Sequence, residues 1–482
     1  MPLQRYYSHY KHRAASYYNP VSHALWSETS KGHKLSPQAT IADVLQACDT
    51  PVLFLLPDKD GKYPSPGDLY SVQGLQVKKY LSKRKSATVD YKSKRTHLYP
   101  ISAWFDLPPG QHLEHAIKGH RLLQEMLEKQ FQPKQTLMGP SEHFPIELLA
   151  TPGQMGADLL KRSLPYNQVY EPLPDEIAML LLEHVTQGRI ETLYHGAEQI
   201  TDLHYYDGRW MYAACTRHVP TGCVQHDTVN EYVPYVPGLY RVKARVPDTW
   251  GHIGLLPLKQ ADHYVYPRVP KQDFETWATS HEIALALRHN WTVQIQERIL
   301  WPETGHKPEP LRTWTEKLVT LRMSIANTYP DPYKDMLKAA IRNIMLHTIG
   351  TFFKHMVESD CYTSDPDLIP EESTSEIRLE SGIWKYTLPE KLSPLQRALS
   401  QPQWAMDIWG KARARLAQHA LQVPFEQLIA LRVDGIWTNC PVEYPDNGKP
   451  GQFIAKPVKK ITGLAWPKNT TAMVQLVQKV KA

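Results

Sequence analysis

Two short apolar segments, one in each half of the chain, carry a single aspartate each, and they constrain the fold more than any other feature. The first reads YYDGRWMYAAC at 205–215 and contains Asp207. The second reads LIALRVDGIWT at 428–438 and contains Asp434, which Gly435 follows where a tight turn would fall. Both segments are typical of buried strands, in which a carboxylate is costly unless a hydrogen-bond donor or a metal ion compensates it. We therefore expect the two aspartates to converge in the folded chain.

A shared divalent cation is the compensation that these two carboxylates favour. Two carboxylates held close repel each other unless one is protonated or a metal ion bridges them. Their oxygen atoms suit Mg²⁺, with Mn²⁺ as the alternative, and Mg²⁺ recruits substrate phosphates to complete its coordination sphere. Two-metal phosphoryl transfer uses this arrangement. The competing interpretation is that each aspartate is only a turn residue at the end of a strand, and spacing alone leaves both open.

Length and composition indicate a globular protein of several domains. The 482 residues predict about two to four domains or subdomains at roughly 150 residues each, and 42% hydrophobic and 22% charged residues are typical of globular chains. No apolar run long enough for a membrane span occurs, and the N-terminus lacks an apolar signal-peptide core. The five cysteines are scattered without CxxC spacing, which favours reduced thiols in a cytoplasmic protein over disulfides or structural zinc.

Positive charge is concentrated in two stretches of the chain. The net charge of +6 permits a polyanionic partner. Eight of the residues at 78–95 are Lys or Arg, interleaved with tyrosines, and a second basic stretch lies at 456–468. The first stretch is either a phosphate-contacting arm or a solvated loop. Contacts to a phosphate backbone are predicted for Lys83, Arg84, Lys85, Lys456, Lys459 and Lys460.

Hydrophobic periodicity predicts an α/β unit up to about residue 150 and a longer mixed region after it. Forty prolines and 26 tyrosines indicate many loops and edge strands rather than a helical bundle. A Ser-, Glu- and Pro-rich stretch at 364–376 predicts an exposed loop. Helices are predicted at 113–131, 280–290, 311–329, 332–356 and 403–422, and strands at 51–57 and 97–107.

Three segments resemble the sequence motifs of the family B DNA polymerases. YDGRWMYAA at 206–214 resembles motif A in the form YDxxSxYP of the protein-primed and plasmid-type members. VDGIW at 433–437 resembles the second half of motif C, YxDTDS, and RNIMLHTIG at 342–350 lies where motif B, KxxxNSxYG, belongs. Flanking segments resemble the family in the same order, so the resemblance covers roughly 150–455.

The resemblance implies a multidomain fold of α+β and α/β type. An N-terminal exonuclease-like (RNase H-like) remnant would be followed by a polymerase palm with an antiparallel sheet and by helical fingers. The implied boundaries are 1–150 for the exonuclease-like domain, 151–310 for the first part of the palm with motif A, 311–360 for the fingers with motif B, 361–445 for the second part of the palm with motif C, and 446–482 for a reduced thumb or C-terminal tail.

The exonuclease-like domain is expected to be inactive. Asp58, Asp60 and Asp106 are the acids that could imitate its metal ligands, and turn or strand-end roles are the alternative for all three. The helix at 113–131 offers no YxxxD motif. Proofreading needs several acids around two metal ions, so the sequence predicts a chain without it.

By resemblance, Asp207 is the acid of motif A and Asp434 the second acid of motif C. Both would bind the Mg²⁺ pair and so act as the catalytic carboxylates. Gly188 and Arg189 lie in the segment that precedes motif A in the family, and the resemblance implies that they contact DNA. The stretch that contains Lys456 would be the primer-gripping strand.

The resemblance also implies residues that bind the incoming nucleotide. Tyr212 lies where the motif A tyrosine stacks under the sugar, although a core-packed tyrosine is the alternative. Arg342 occupies the motif B lysine position, where a cation meets the triphosphate, and an exposed helix charge is its alternative. Lys338 lies one turn earlier on the same face, and Gly350 is the retained glycine of motif B.

Several motif positions depart from the family. Trp210 replaces the motif A serine, and Leu346 and Ile349 replace the motif B asparagine and tyrosine. Arg432 stands at the first acid of motif C, and Gly435 replaces the serine after the second. Loss of the nucleotide-stacking tyrosine should weaken positioning of the nucleotide.

The leading functional hypothesis is template-directed DNA synthesis without proofreading, with template and primer DNA and dNTPs as partners and a processivity or recruiting protein beside them. The alternative is a catalytically weak or inactive polymerase-like subunit that binds nucleic acid in a replication or mobile-element complex. A third class, an unrelated metal-dependent nuclease or phosphotransferase, would explain the acids but not the ordered flanking segments.

Overall fold

The fold divides into two compact units. The computed structural model describes residues 15–27, 32–58, 60, 62–63, 74–78, 87–105, 107, 113–131, 151–164, 170, 172–261, 263–302, 309–353, 357–390 and 399–480. The first unit comprises Met1–Val169 and Thr313–Ser400, and the second comprises Tyr170–Arg312 and Gln401–Ala482.

The strands of the described residues are numbered in chain order. They are β1 (Ala15–Asn19), β2 (Ala24–Ser27), β3 (His33–Lys34), β4 (Val52–Leu55), β5 (Leu75–Lys78), β6 (Ala87–Tyr91), β7 (Lys94–Pro100), β8 (Ile190–Thr192), β9 (Gln199–Ile200), β10 (His204–Gly208), β11 (Gln225–Asp227), β12 (Gly238–Arg245), β13 (Leu258–Gln260), β14 (His263–Val265), β15 (Asp273–Thr279), β16 (Thr292–Leu300), β17 (Val357–Thr363), β18 (Ser375–Arg378), β19 (Trp384–Glu390), β20 (Leu428–Arg432), β21 (Gly435–Thr438), β22 (Phe453–Lys456) and β23 (Leu464–Ala465).

The helices are numbered in the same way. They are α1 (Ile41–Ala47), α2 (Leu113–Phe131), α3 (Pro152–Ser163), α4 (Asp175–His184), α5 (Met211–Cys215), α6 (Ser280–Arg288), α7 (Arg312–Thr328), α8 (Tyr333–Phe352), α9 (Pro402–Ala420) and α10 (Thr470–Val480). No helix among these described residues is long and apolar enough to cross a bilayer.

The first unit is built on a large mixed sheet. Among the described strands, ten pair in the order β18-β19-β17-β5-β6-β7-β4-β1-β2-β3. Strand β4 runs parallel to both β1 and β7, and the other neighbours are antiparallel. The sheet is not confined to the N-terminal part of the chain, because β17, β18 and β19 join its far edge. The predicted α/β unit ending near residue 150 stays a prediction.

Helix α2 packs on this sheet through a buried aromatic cluster, and its predicted bounds are confirmed. His120 is 1% exposed and its Nδ1 lies 2.9 Å from the hydroxyl of Tyr17. The rings of Phe54 and Phe105 lie 4.8 Å from the His120 ring, and the ring of Trp104 lies 5.3 Å away. Burial lowers the pKa of His120 to about 3, so the imidazole is neutral at physiological pH.

Two other features of the first unit bear on the predictions. Asp58 accepts backbone hydrogen bonds from Asp60 and Lys62 at 2.9 and 2.7 Å, which is the geometry of a turn residue. Asp106 lies outside the described residues. Helices α3 and α8 approach closely at Gly156, where an added Cβ would lie 1.7 Å from the Thr348 hydroxyl oxygen.

The second unit contains a five-stranded antiparallel sheet in the order β22-β10-β21-β20-β8 and a four-stranded sheet in the order β11-β16-β12-β15. Helix α9 is buried along most of its length because apolar side chains occur on nearly every face. Helix α10 packs on the five-stranded sheet through Met473 and Leu476, in a cluster that includes Ile429 and Trp437. The five-stranded sheet is therefore covered by α10 on one face, whereas β12 and β15 of the four-stranded sheet alternate buried and exposed residues.

The strand predicted at 97–107 begins earlier and ends at Pro100, because Ile101–Ala103 form a short 3-10 helix. The two strand predictions that contain the aspartates change as well. The segment 205–215 is a strand only as far as Gly208, because Trp210 adopts a left-handed conformation with φ 53° and begins the short helix α5. The apolar segment at 428–438 is two strands rather than one, because β20 and β21 form a hairpin around Val433 and Asp434. Both changes follow from residues with positive φ, which end a strand.

Candidate active site

The five-stranded sheet brings Asp207 and Asp434 to adjacent strands. Strands β10 and β21 are antiparallel, and Asp207 lies directly opposite Gly435, the residue after Asp434. The backbone N–H of Gly208 donates to the carbonyl oxygen of Asp434 at 2.7 Å. The two segments therefore lie side by side, as predicted, while the roles of Asp207 and Asp434 in metal binding and catalysis stay predictions.

Asp434 is the second residue of a two-residue hairpin loop. Arg432 pairs with Gly435 across the loop, so Val433 and Asp434 are its only members. Val433 has φ 60°, a left-handed conformation that is rare for a β-branched residue and that hairpins of this length normally assign to Gly or Asn. Such a conformation costs about 1–3 kcal/mol and persists only where the surroundings enforce it.

Gly188 and Arg189 supply that enforcement. The carbonyl oxygen of Arg189 accepts a 2.7 Å hydrogen bond from the N–H of Val433. A Cβ on Gly188 would lie 3.2 Å from Cγ1 of Val433, a tight contact that glycine avoids. The backbone of the segment before motif A therefore holds the turn that presents Asp434.

The side chain of Arg189 is buried rather than available to DNA. It is 1% exposed, its Nε donates to Glu191 at 3.0 Å, and its Nη1 donates to the carbonyl oxygen of Gly254 at 2.9 Å. The guanidinium also lies 3.8 Å from the ring centre of Tyr266. The DNA contact predicted for Arg189 is therefore not proposed for its side chain, because that side chain is buried and binds acceptors within the protein.

A second buried arginine fixes the residues just before Gly188. Arg413, on α9, donates to the carbonyl oxygens of Thr186 and Gln187, the latter at 2.7 Å. Arg413 also forms a buried pair with Glu282 at 2.7 Å. Burial opposes ionisation of Glu282, but the guanidinium outweighs it and lowers the pKa of that carboxyl. The turn at Asp434 is thus linked to helices α6 and α9 through ion-paired side chains.

Asp207 projects into an aromatic and cationic environment. Its Oδ1 accepts a 3.0 Å hydrogen bond from the hydroxyl of Tyr205, and its Oδ2 lies 3.8 Å from Nζ of Lys456. The Tyr205 ring stacks on Trp437 with centroids 4.3 Å apart, and a Cβ on Gly435 would lie 2.7 Å from that ring. The Asp207 side chain remains 29% exposed, so a ligand can reach the carboxylate.

The donor set fits a divalent cation that also binds substrate. Asp207 and Asp434 are both half-buried, and both offer the hard oxygen atoms that Mg²⁺ prefers. Among the described residues no group of three or more His, Cys, Asp or Glu side chains could hold a metal ion. Mg²⁺ is commonly bound by one or two carboxylates together with substrate phosphates, and the site offers carboxylates in that number.

The other predicted residues of the second unit lie near these strands. Tyr212 is on α5 and 7% exposed, so its contact with a nucleotide sugar stays a prediction. Lys459 and Lys460 are exposed residues that follow β22, and the N–H of Lys459 donates to the carbonyl oxygen of Val480 at the end of α10. Between 447 and 482 the chain carries seven lysines and no acid, which makes this region attractive to a polyanion.

The predicted nucleotide-binding residues of motif B lie on α8 in the first unit. Lys338 is half-buried, whereas Arg342 and Gly350 are exposed. No atom lies within 4 Å of a Cβ placed on Gly350. Their nucleotide contacts stay predictions, and Lys83, Arg84 and Lys85 lie outside the described residues.

Sequence reasoning missed Tyr205 and Val433 as parts of the site. Tyr205 precedes Asp207 by two residues, so strand alternation places both side chains on one face and could have identified it. Val433 carried no such signal, because a β-branched residue is not expected in a left-handed turn position.

Comparison with known proteins finds similarity in structure only. No protein-family model matches the chain, and no curated protein matches its sequence. Phi29 DNA polymerase in its orthorhombic crystal form aligns with a TM-score of 0.58 and 11% identity, over 95% of this chain and 90% of that one. The same enzyme complexed with primer-template DNA and incoming nucleotide substrates aligns with a TM-score of 0.56 and 13% identity, over 92% and 84%. Its post-translocation binary complex with primer-template DNA gives 0.57 and 12%, over 98% and 91%. At this identity the likeness shows a divergent polymerase-like fold.

Proposed function

We propose that the chain is a DNA-directed DNA polymerase of family B type that lacks proofreading. The observation that carries the proposal is the position of Asp207 and Asp434 on adjacent antiparallel strands, joined by the Gly208 hydrogen bond. The similarity in fold to phi29 DNA polymerase, which is known in complex with primer-template DNA and incoming nucleotides, supports it. The substrates would be a primer 3′-hydroxyl, a template strand and dNTPs.

In this proposal Asp207 and Asp434 hold the divalent cations. The bound Mg²⁺ or Mn²⁺ would neutralise the developing charge on the triphosphate and favour the ionised primer hydroxyl. Tyr205 fixes the orientation of Asp207 through its hydroxyl, since its own ring is held by Trp437. The hairpin loop fixes Asp434 because Val433 is tied to Arg189. Catalysis of this kind depends on positioning and electrostatics, and the structure positions the Asp207 carboxylate by a side-chain hydrogen bond and Asp434 by its backbone turn.

Lys456 would contact a phosphate of the primer strand next to the acids. It lies on β22 directly opposite Tyr205, on the face of the sheet that carries Asp207. Lys459 and Lys460 continue the positive charge beyond the strand. By resemblance to the family, a contact with the incoming nucleotide is proposed for Tyr212 of the second unit and, separately, for Lys338, Arg342 and Gly350 of the first unit.

Primer extension tests the proposal directly. The purified chain is given a primer-template and dNTPs with Mg²⁺ or Mn²⁺, beside D207N and D434N. We expect template-dependent extension that each variant lowers by at least about 10³-fold, because each removes a carboxylate held for charge stabilisation. D248N is the matched control, since Asp248 is exposed in a loop of the same unit and forms only loose ion pairs, with Arg245 at 3.8 Å and with Lys271 at 3.9 Å. Extension at the wild-type rate in both site variants would contradict the proposal.

A polymerase-like subunit that binds DNA without extending it is the second candidate. Arg432 stands where the family has its first motif C acid, and this loss of a carboxylate favours the second candidate. The same experiment separates the two, because a scaffold subunit would bind primer-template in a gel-shift assay and extend nothing. A processivity or recruiting protein is proposed for either case.

A further inference from the structure

Arg432 lies in a row of residues that crosses the five-stranded sheet on the face that carries Asp207. Asp207 is opposite Gly435 on β21, and Gly435 is opposite Arg432 on β20. Directly opposed residues of antiparallel strands point to the same face. Arg432 and Asp207 are therefore on one face, two strand spacings or about 10 Å apart between their Cα atoms. Gly435 between them contributes no side chain.

The guanidinium of Arg432 has no partner within the described part of the chain. It is half-buried, and no hydrogen bond, ion pair or ring contact involves it there. The neighbouring cations are engaged, since Lys456 lies 3.8 Å from Asp207 and Arg209 pairs with Asp446 at 2.8 Å. Arg189 is buried among its own acceptors. A guanidinium carries five N–H donors, and those of Arg432 are left for an external acceptor.

The charges of this face favour an anion as that acceptor. Two carboxylates alone would repel a phosphate, but the positive charges of Lys456 and Arg432 equal in number the negative charges of Asp207 and Asp434. Arginine forks onto phosphate oxygens with two parallel hydrogen bonds, which lysine cannot do. We propose that Arg432 binds a phosphate group of the nucleic acid or nucleotide directly. The proposal rests on the proposed function, because it assumes that such a substrate occupies this face.

Direct binding by Arg432 changes how the site uses metal ions. A third carboxylate at this position would add a ligand for the cations, whereas arginine contributes positive charge of its own. Phosphate binding by this chain therefore persists in part without divalent cations. Conversely, the two remaining carboxylates bind Mn²⁺ weakly until a phosphate supplies further oxygen ligands.

Binding measured in EDTA tests the inference without any catalytic step. Fluorescently labelled oligo(dT) and dTTP are titrated separately, so that a strand phosphate and a free triphosphate are distinguished. R432A should weaken binding of at least one of them on the order of 10- to 100-fold, the effect of one charge-assisted hydrogen-bonded contact. For the oligonucleotide, the slope of log K against log salt should fall by about 0.7. R432K should recover only part of the loss, because the fork is missing.

R245A is the matched control. Arg245 is also a strand arginine of the second unit, but it lies near Asp273 and Asp248 on the other sheet. R245A should bind both ligands as the wild type does. If R432A binds both ligands with wild-type affinity and salt slope, the inference is overturned.

R432D supplies a readout of opposite sign. Mn²⁺ binding without nucleic acid, followed by electron paramagnetic resonance, should tighten in R432D while binding of phosphate in EDTA weakens. If R432D binds Mn²⁺ with the affinity of the wild type, residue 432 does not lie beside the metal ligands, and the inference is contradicted. Failure of the polymerase proposal gives a different pattern, in which no primer is extended but the R432A and R432D differences remain.

Discussion

Replacing Arg189 by alanine tests whether this residue supports the Asp434 turn or contacts DNA. The substitution leaves Glu191 and the Gly254 carbonyl without their donor and empties the space over the Tyr266 ring. Removing one partner of a buried charge pair costs about 3–5 kcal/mol. Glu191 is 17% exposed and regains some hydration, so we expect the lower end, about 3 kcal/mol. For a unit of this size that corresponds to a melting temperature lowered by roughly 6–12 °C.

Thermal unfolding followed by circular dichroism measures this loss, with R241A as the matched control. Arg241 is an exposed strand arginine of the same unit, with ion pairs at 3.7 and 3.9 Å, and such pairs contribute about 0–1 kcal/mol. A second readout separates the two roles. If Arg189 only supports the turn, the salt dependence of DNA binding stays unchanged in R189A. A melting temperature equal to that of R241A, together with a salt slope reduced by about 1, would refute the supporting role.

Three further predictions follow from the packing. G435A should lower extension and destabilise the second unit by about 1–3 kcal/mol, because its Cβ would lie 2.7 Å from the Tyr205 ring that orients Asp207; urea unfolding and primer extension measure both. The first unit should lose stability as pH falls below 6.5 towards 3, because His120 is held neutral by burial while the unfolded chain takes up the proton. H120F should reduce this dependence of the free energy of unfolding on pH, which is about 1.4 kcal/mol per pH unit for one group. Urea titrations at pH 5 and 7.5 measure it, and an equal loss of stability between the two pH values in the wild type and H120F would contradict the prediction. G156A should strongly destabilise the first unit, because its Cβ would lie 1.7 Å from the hydroxyl oxygen of Thr348 on α8. G350A meets open space and should stabilise α8 by about 0.5–1 kcal/mol. Equal effects of the two substitutions on the free energy of unfolding would contradict the close contact between α3 and α8.

The elements predicted well from the sequence are those specified by local periodicity. Helix α2 has the predicted bounds, and α7, α8 and α9 begin and end within a few residues of their predictions. Apolar residues at helical spacing over several turns determine such elements without outside help. The side-by-side position of the segments that contain Asp207 and Asp434 was also predictable, because an acid in an apolar strand requires compensation.

The features that the sequence did not reveal depend on contacts between distant segments. Val433 carries no turn signal, and its left-handed conformation exists because Gly188 and Arg189 hold it. The sequence predicts a DNA contact for Arg189, and only the hydrogen bonds to Glu191 and Gly254 in the folded chain show that its side chain is buried. Such partners are invisible to patterns of neighbouring residues.

Strand pairing over long separations was equally hidden. The strands β17, β18 and β19 lie in and around a stretch that reads as an exposed loop, yet they extend the sheet of the first unit through β5. Pairing of this kind depends on register with a partner far away in the chain. The domain boundaries implied by the resemblance therefore stay predictions.

Metal-directed cleavage of the backbone tests the central claim most directly. Fe²⁺ replaces Mg²⁺ in the chain bound to primer-template and a nucleotide, and ascorbate with peroxide then generates radicals that cut the protein next to the metal ion. We predict cuts in two segments at once, around Asp207 and around Asp434, which D207N and D434N abolish and D248N does not. Cutting in only one segment, or the same cutting in both site variants, would contradict a divalent cation shared by the two aspartates.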